Sequence, residues 1–132
     1  MIKGFGIDFN MQPEAPIIIS ESGDIDLFET VEDAENKLEA EDVLDGLFVG
    51  FDCKGRRLTL TVKKKTSKWF FGVFDCEINR VKISCQDQGI FYESELKQLL
   101  INYFRDTGEP YVGDPKLQTL IEKFICQYGF TL

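Results

Sequence analysis

Apolar and polar positions along the chain follow one period in its first two thirds and another in its last. Phe5, Ile7 and Phe9 alternate with Gly6 and Asp8, the pattern of a half-buried strand within Met1–Asn10, and Gln12 to Ala15 with Pro13 breaks it. Pro16–Ser20 (PIIIS) and Ile25–Phe28 (IDLF) are short apolar runs. Glu21, Ser22, Gly23 and Asp24 between them favour a turn, so the pair reads as a hairpin. Thr30 followed by Asp33 matches a helix start, in which the hydroxyl accepts a free backbone N–H and the acid sits at the positive end of the helix dipole. A short helix is therefore expected from Val31, with Val31, Ala34 and Leu38 on one face and an end at Asp42–Gly46.

Leu47–Phe51, the turn Asp52–Gly55 (DCKG) and Arg57–Val62 form a second hairpin, because Leu58, Leu60 and Val62 alternate with Thr59 and Thr61. Lys63–Lys68 reads as a polar, basic connection. Phe70, Phe74, Cys76 and Ile78 then hold even parity, whereas Val81, Ile83 and Cys85 hold odd parity. A switch of that kind predicts a turn or bulge near Asn79 and Arg80.

In the last third the period becomes helical. Leu96, Leu99, Leu100, Tyr103 and Phe104 make one amphipathic face that ends before Gly108; Leu117, Leu120, Ile121, Phe124, Ile125 and Tyr128 make another. Asp114 as N-cap, Pro115 as first helical residue and Gly129 beyond the end bound the second helix. The expected class is α+β: one domain over residues 1–132, with an antiparallel sheet of about five to seven strands, one short early helix and two C-terminal amphipathic helices.

The 132 residues, 43% of them hydrophobic and twelve of them Phe, suffice for a packed core. Pro16–Ile19, the longest apolar run near the N-terminus, is too short for a bilayer span or a secretory leader, so neither membrane insertion nor export is expected. Cys53, Cys76, Cys85 and Cys126 form no CxxC pair and have no histidine to complete a zinc site. They are expected as reduced, mostly buried thiols in a cytoplasmic protein.

Charge divides the chain. Met1 to Cys53 holds fourteen acidic residues and two lysines, a balance of −12, while the remainder sums to +4. Phe28–Asp45 alone has eight carboxylates against Lys37. A field of that sign repels nucleic acid and anionic membrane and attracts a cationic protein.

Without histidine the usual general base and triad partner are missing, and no two carboxylates are set apart by the sequence as an acid–base pair, so no enzyme activity is expected. Gly4 and Gly6 lack the third glycine and following helix of a phosphate cradle, and Asp42–Gly50 lacks the ligand order of a calcium loop; no cofactor or metal is expected. Lys63, Lys64, Lys65 and Lys68 beside Trp69, Phe70 and Phe71 look superficially like a single-strand nucleic-acid patch. Lysines also blunt an edge strand against aggregation, and that reading is preferred here.

The stretch FETVEDAENKLEAEDV followed by FDCKGRRLTLTV resembles a family of small bacterial immunity proteins of the polymorphic-toxin and contact-dependent growth inhibition type. The resemblance spans roughly Ser20 to Val62. Its matching positions are Phe28, Thr30, Glu32, Ala34, Glu35, Leu38, Glu39, Asp42 and Val43, then Asp52, Gly55, Arg56 and Leu58. Much of this pattern is a capped helix and a tight turn, and the C-terminal helices lie outside it. The resemblance implies an intracellular protein that binds one cognate toxin domain and covers its active site or substrate channel; the acidic charge suits a cationic nuclease. The expected toxin-facing charge is Glu32, Asp33, Glu35, Glu39, Glu41, Asp42 and Asp45, with no nucleic-acid or membrane partner. A structural or regulatory domain that associates through the C-terminal helices is the rival reading.

Overall fold

Three consecutive isoleucines, Ile17, Ile18 and Ile19, are all at most 1% exposed. A strand shows successive side chains to opposite faces, so a continuous apolar run of this kind needs cover on both sides. The computed structural model, which describes residues 12–69, 74–85, 92–109 and 113–132, supplies that cover. The strand expected within Met1–Asn10 lies outside the described residues.

Strand β1 (Ile17–Glu21) pairs antiparallel with β2 (Asp24–Phe28) through a turn that uses positive φ at Ser22 and Gly23. On its other side β1 pairs with β3 (Val49–Phe51), which pairs with β4 (Arg57–Trp69), and β4 pairs with β5 (Phe74–Cys85). The order is β2-β1-β3-β4-β5, antiparallel throughout. Together with the helices this is the expected α+β architecture.

On one face Ile18, Leu27 and Phe51 pack with Leu96, Leu100 and Phe104 of α3 (Glu93–Asp106) and with Leu117, Leu120, Ile121 and Phe124 of α4 (Leu117–Tyr128). On the other face Ile17, Ile19, Phe28, Leu58, Val81 and Ile83 pack with Ala34 and Leu38. The C-terminal Thr131 closes the β2 edge: its N–H donates to the Leu27 carbonyl at 2.7 Å and its Oγ1 accepts from the Leu27 N–H at 3.2 Å.

Three local expectations are corrected. The early helix is two helices, α1 (Val31–Lys37) and α2 (Ala40–Leu44), because Leu38 and Glu39 are extended (ψ 137 and 134). That break lets Leu38 reach the core while Ala40 and Val43 of the next helix still pack against it.

Lys63–Lys68 is not a connection and no bulge occurs at Asn79 or Arg80. Strand β4 continues through the lysines, and the register runs unbroken from Leu58↔Cys85 to Trp69↔Phe74. Ladder hydrogen bonds come from the backbone, so a strand persists where its side-chain pattern changes. Finally, α4 starts at Leu117 with Lys116 as its N-cap. Asp114 instead pairs with Lys97 at 3.1 Å. Gly129 does end α4, at φ +73.

Candidate functional site

The acidic stretch is presented by α1 and α2, both held on the sheet by their apolar sides. Thr30 caps α1, its Oγ1 accepting from the Asp33 N–H at 3.0 Å. With Val31, Ala34 and Leu38 turned inward as the spacing predicts, the remaining positions face water. Glu32, Asp33, Glu39, Glu41 and Asp45 are exposed; Glu35 and Asp42 are half-buried. Among the described residues no ion pair involves any of these seven. The fold therefore gathers carboxylates on one layer without neutralising them.

Glu35 differs from the rest. Its Oε2 accepts from the backbone N–H of Ile83 at 2.8 Å, which ties α1 to β5, the last in the order of the described strands. A carboxylate used in this way is part of the fold before it can serve a partner. Beside it, between α1 and β5, a groove of about 520 Å³ is lined by Val31, Glu32, Glu35, Asn36, Arg80, Val81 and Lys82.

Two residues that the sequence reading did not single out stand within the acidic layer. Leu44 is 69% exposed and Leu47 44% exposed, on either side of Asp45 and Gly46. The available signal was the pair Val43 and Leu44: neighbours on a helix cannot share one face, and Val43 packs in the core. Exposed leucines on an element that also carries unpaired carboxylates have the composition of a protein-binding surface, an apolar anchor with charged neighbours.

Asp52 and Arg56, which belong to the family-like turn, are structural. Asp52 is fully buried; its Oδ2 accepts from Arg56 Nε at 2.7 Å and from the Glu14 N–H at 3.1 Å, and its Oδ1 accepts from the Arg56 N–H at 2.9 Å and the Lys54 N–H at 3.0 Å. Arg56 Nη2 reaches the Gln12 carbonyl at 3.2 Å. Burial works against the Arg56 charge, but its hydrogen bond to Asp52 and their attraction prevail and raise its pKa. At Gly55 an added Cβ would stand 2.8 Å from Glu93 Cα, and the Gly55 carbonyl accepts from the Tyr92 N–H at 2.7 Å. The turn thus clamps the segment before β1 and the start of α3 together.

Cys53, Cys85 and Cys126 are free; the first two are half-buried and Cys126 is exposed, which corrects the expectation of mostly buried thiols. Burial, followed by the Asp52 and Glu14 charges, pushes the Cys53 thiol up; burial also pushes Cys85 up. Raised pKa values disfavour thiolate and hence nucleophilic chemistry. Among the described residues no group of three or more Cys, Asp or Glu could hold a metal ion. No described helix is long and apolar enough to cross a membrane.

The apolar residues of α3 and α4 that the rival reading would use are already spent on the sheet core, with only Tyr128 among the exposed large apolar residues of the two helices. Comparison of the chain with protein-family models, with curated proteins and with solved structures finds no match, so the acidic layer has to be interpreted from its own geometry.

Proposed function

We propose that this chain is a cytoplasmic immunity protein that binds and neutralises a cognate toxin domain, a cationic nuclease, through its α1–α2 layer. The observation that supports this reading most is that Glu32, Asp33, Glu39, Glu41 and Asp45 are exposed and form no ion pair among the described residues, in a segment that also exposes Leu44 and Leu47. A nuclease groove carries lysines and arginines to hold phosphates, and a layer of carboxylates can occupy it in their place. Close, desolvated charge pairs across an interface contribute about 1.5–7 kcal/mol of coupling, while exposed rim pairs contribute roughly 0–1 kcal/mol. The leucines supply the dry centre that makes some of those pairs strong.

The test is charge reversal of Glu39, Glu41 and Asp45 to Lys, with binding to the toxin domain encoded beside the gene and protection of cells from it both measured. Reversal is expected to abolish protection while circular dichroism and the unfolding midpoint stay near the parent values. Intact protection by the folded variant would overturn the assignment of this layer.

A further inference from the structure

We propose that the uncovered face of the β4–β5 hairpin is a docking surface for the acidic α1–α2 layer of a second copy of this chain. Helices α3 and α4 pack on β1, β2 and β3 on that side of the sheet, whereas Leu58, Val81 and Ile83 turn to the opposite face beneath α1. Alternation therefore assigns Thr59, Thr61 and Lys63 of β4 and Arg80, Lys82 and Ser84 of β5 to the uncovered side. Thr59 is half-buried and the other five are exposed.

The register sets Lys63 directly opposite Arg80, with Thr61 opposite Lys82. Like charges in directly opposed positions are destabilising. Among the described residues none of these three cations has a carboxylate within ion-pair distance. Arg80 and Lys82 also border the groove that Glu32 and Glu35 line, but Glu35 is engaged by the Ile83 amide and no ion pair closes there. This face is left with cations and hydroxyl groups that lack counter-charge, so it gains when carboxylates arrive from outside.

Carboxylates of that description project from the helix layer that packs on the opposite face of the same sheet. Within one molecule none of these carboxylates closes an ion pair with Lys63, Arg80 or Lys82, although Glu32 shares a groove with the last two. Between copies, the acidic layer of one can meet the hairpin face of the next, a heterologous head-to-tail contact. Because both surfaces are solvated, the association is reversible and screened by salt. It also occupies the carboxylates assigned to the toxin, so the two kinds of binding compete.

Light scattering and sedimentation equilibrium on the full chain, without toxin, test this independently of the toxin reading. At about 25 mM sodium chloride the average mass is expected to rise above the 15.2 kDa monomer with concentration, and to return to it near 500 mM, where the screening length falls to roughly 4 Å. Lys63→Glu/Arg80→Glu/Lys82→Glu is expected to remain monomeric at low salt, as is Glu39→Lys/Glu41→Lys/Asp45→Lys, while an equimolar mixture of the two associates. The uncharged set Lys63→Gln/Arg80→Gln/Lys82→Gln, checked by circular dichroism, gives the same loss if the reversal set misfolds. A wild-type chain that stays monomeric at low salt, association that survives either folded variant or high salt, or a mixture that stays monomeric would each overturn the proposal. So would a wild-type monomer whose hairpin face instead captures a labelled single-stranded oligonucleotide.

Discussion

Glu35 and Ile83 are joined by one hydrogen bond, 2.8 Å from the amide nitrogen to Oε2, across 48 residues of sequence. An unpaired amide on the last strand of a sheet invites another strand, and a fixed carboxylate is one way to satisfy it. Glu35→Ala is expected to destabilise the fold by about 1–2 kcal/mol, because it strands that amide and loosens α1. Hydrogen exchange at Ile83 should accelerate. The same loss of stability is not expected for Glu39→Ala or Asp45→Ala, whose side chains make no hydrogen bond that the structure shows beyond their own helix; urea titrations of the three variants separate these roles.

Asp52→Ala should be far more damaging than any change in the acidic layer. It leaves the buried Arg56 with only the more exposed Glu14 carboxylate, 3.8 Å from Nη2, and frees three backbone N–H groups, those of Glu14, Lys54 and Arg56. Breaking a buried pair by removing one partner costs about 3–5 kcal/mol. Gly55→Ala attacks the same turn by another route, since φ +83 and the 2.8 Å approach to the Glu93 backbone leave a Cβ no room. Its unfolding midpoint should drop while a Gly23→Ala control, with open space around its Cβ, shifts less.

The thiols predict both a reactivity order and a pH dependence. Exposed Cys126 should be alkylated before Cys53 and Cys85, whose raised pKa values keep them protonated, and peptide mapping after brief iodoacetamide treatment reads the order. Because the folded values lie above the ordinary thiol value of 9.0, the stabilisation from these two groups is complete below that pH. It is lost as pH rises through the folded values, since the unfolded chain releases the protons first. Cys53→Ser/Cys85→Ser should flatten this alkaline decline in stability.

Leu44→Ser and Leu47→Ser address the apolar centre of the acidic layer. Leu44 is already largely in water and Leu47 nearly half so, and stability should change by no more than about 0.5 kcal/mol for Leu44→Ser and somewhat more for Leu47→Ser. If the proposed toxin domain is the partner, its affinity should fall at least about tenfold for Leu44→Ser, the scale of a buried anchor lost from an interface. Calorimetric titration of the folded variant gives the answer, and unchanged affinity would leave the charges as the whole of the recognition.

The sequence by itself determined the elements whose signal is local. Thr30 with Asp33 placed the start of α1, and Val31, Ala34 and Leu38 placed its inner face; the i, i+3, i+4 spacing placed α3 and α4, and Gly129 the end of the second. It also located the acidic layer, because alternation and helical spacing reveal which side of an element faces the core.

Tertiary structure alone decided which of those carboxylates are free. Periodicity gives the phase of an element but not its neighbour, so nothing near Glu35 announced the Ile83 amide, and nothing near Asp52 announced Glu14 or Gln12. The continuous β4–β5 ladder was hidden for a related reason: backbone pairing maintained a register through a run of lysines that, read by side chains alone, resembles a loop. The break at Leu38 and Glu39, which restarts the helix and leaves Leu44 in water, likewise depends on the sheet that Leu38 and Val43 pack against.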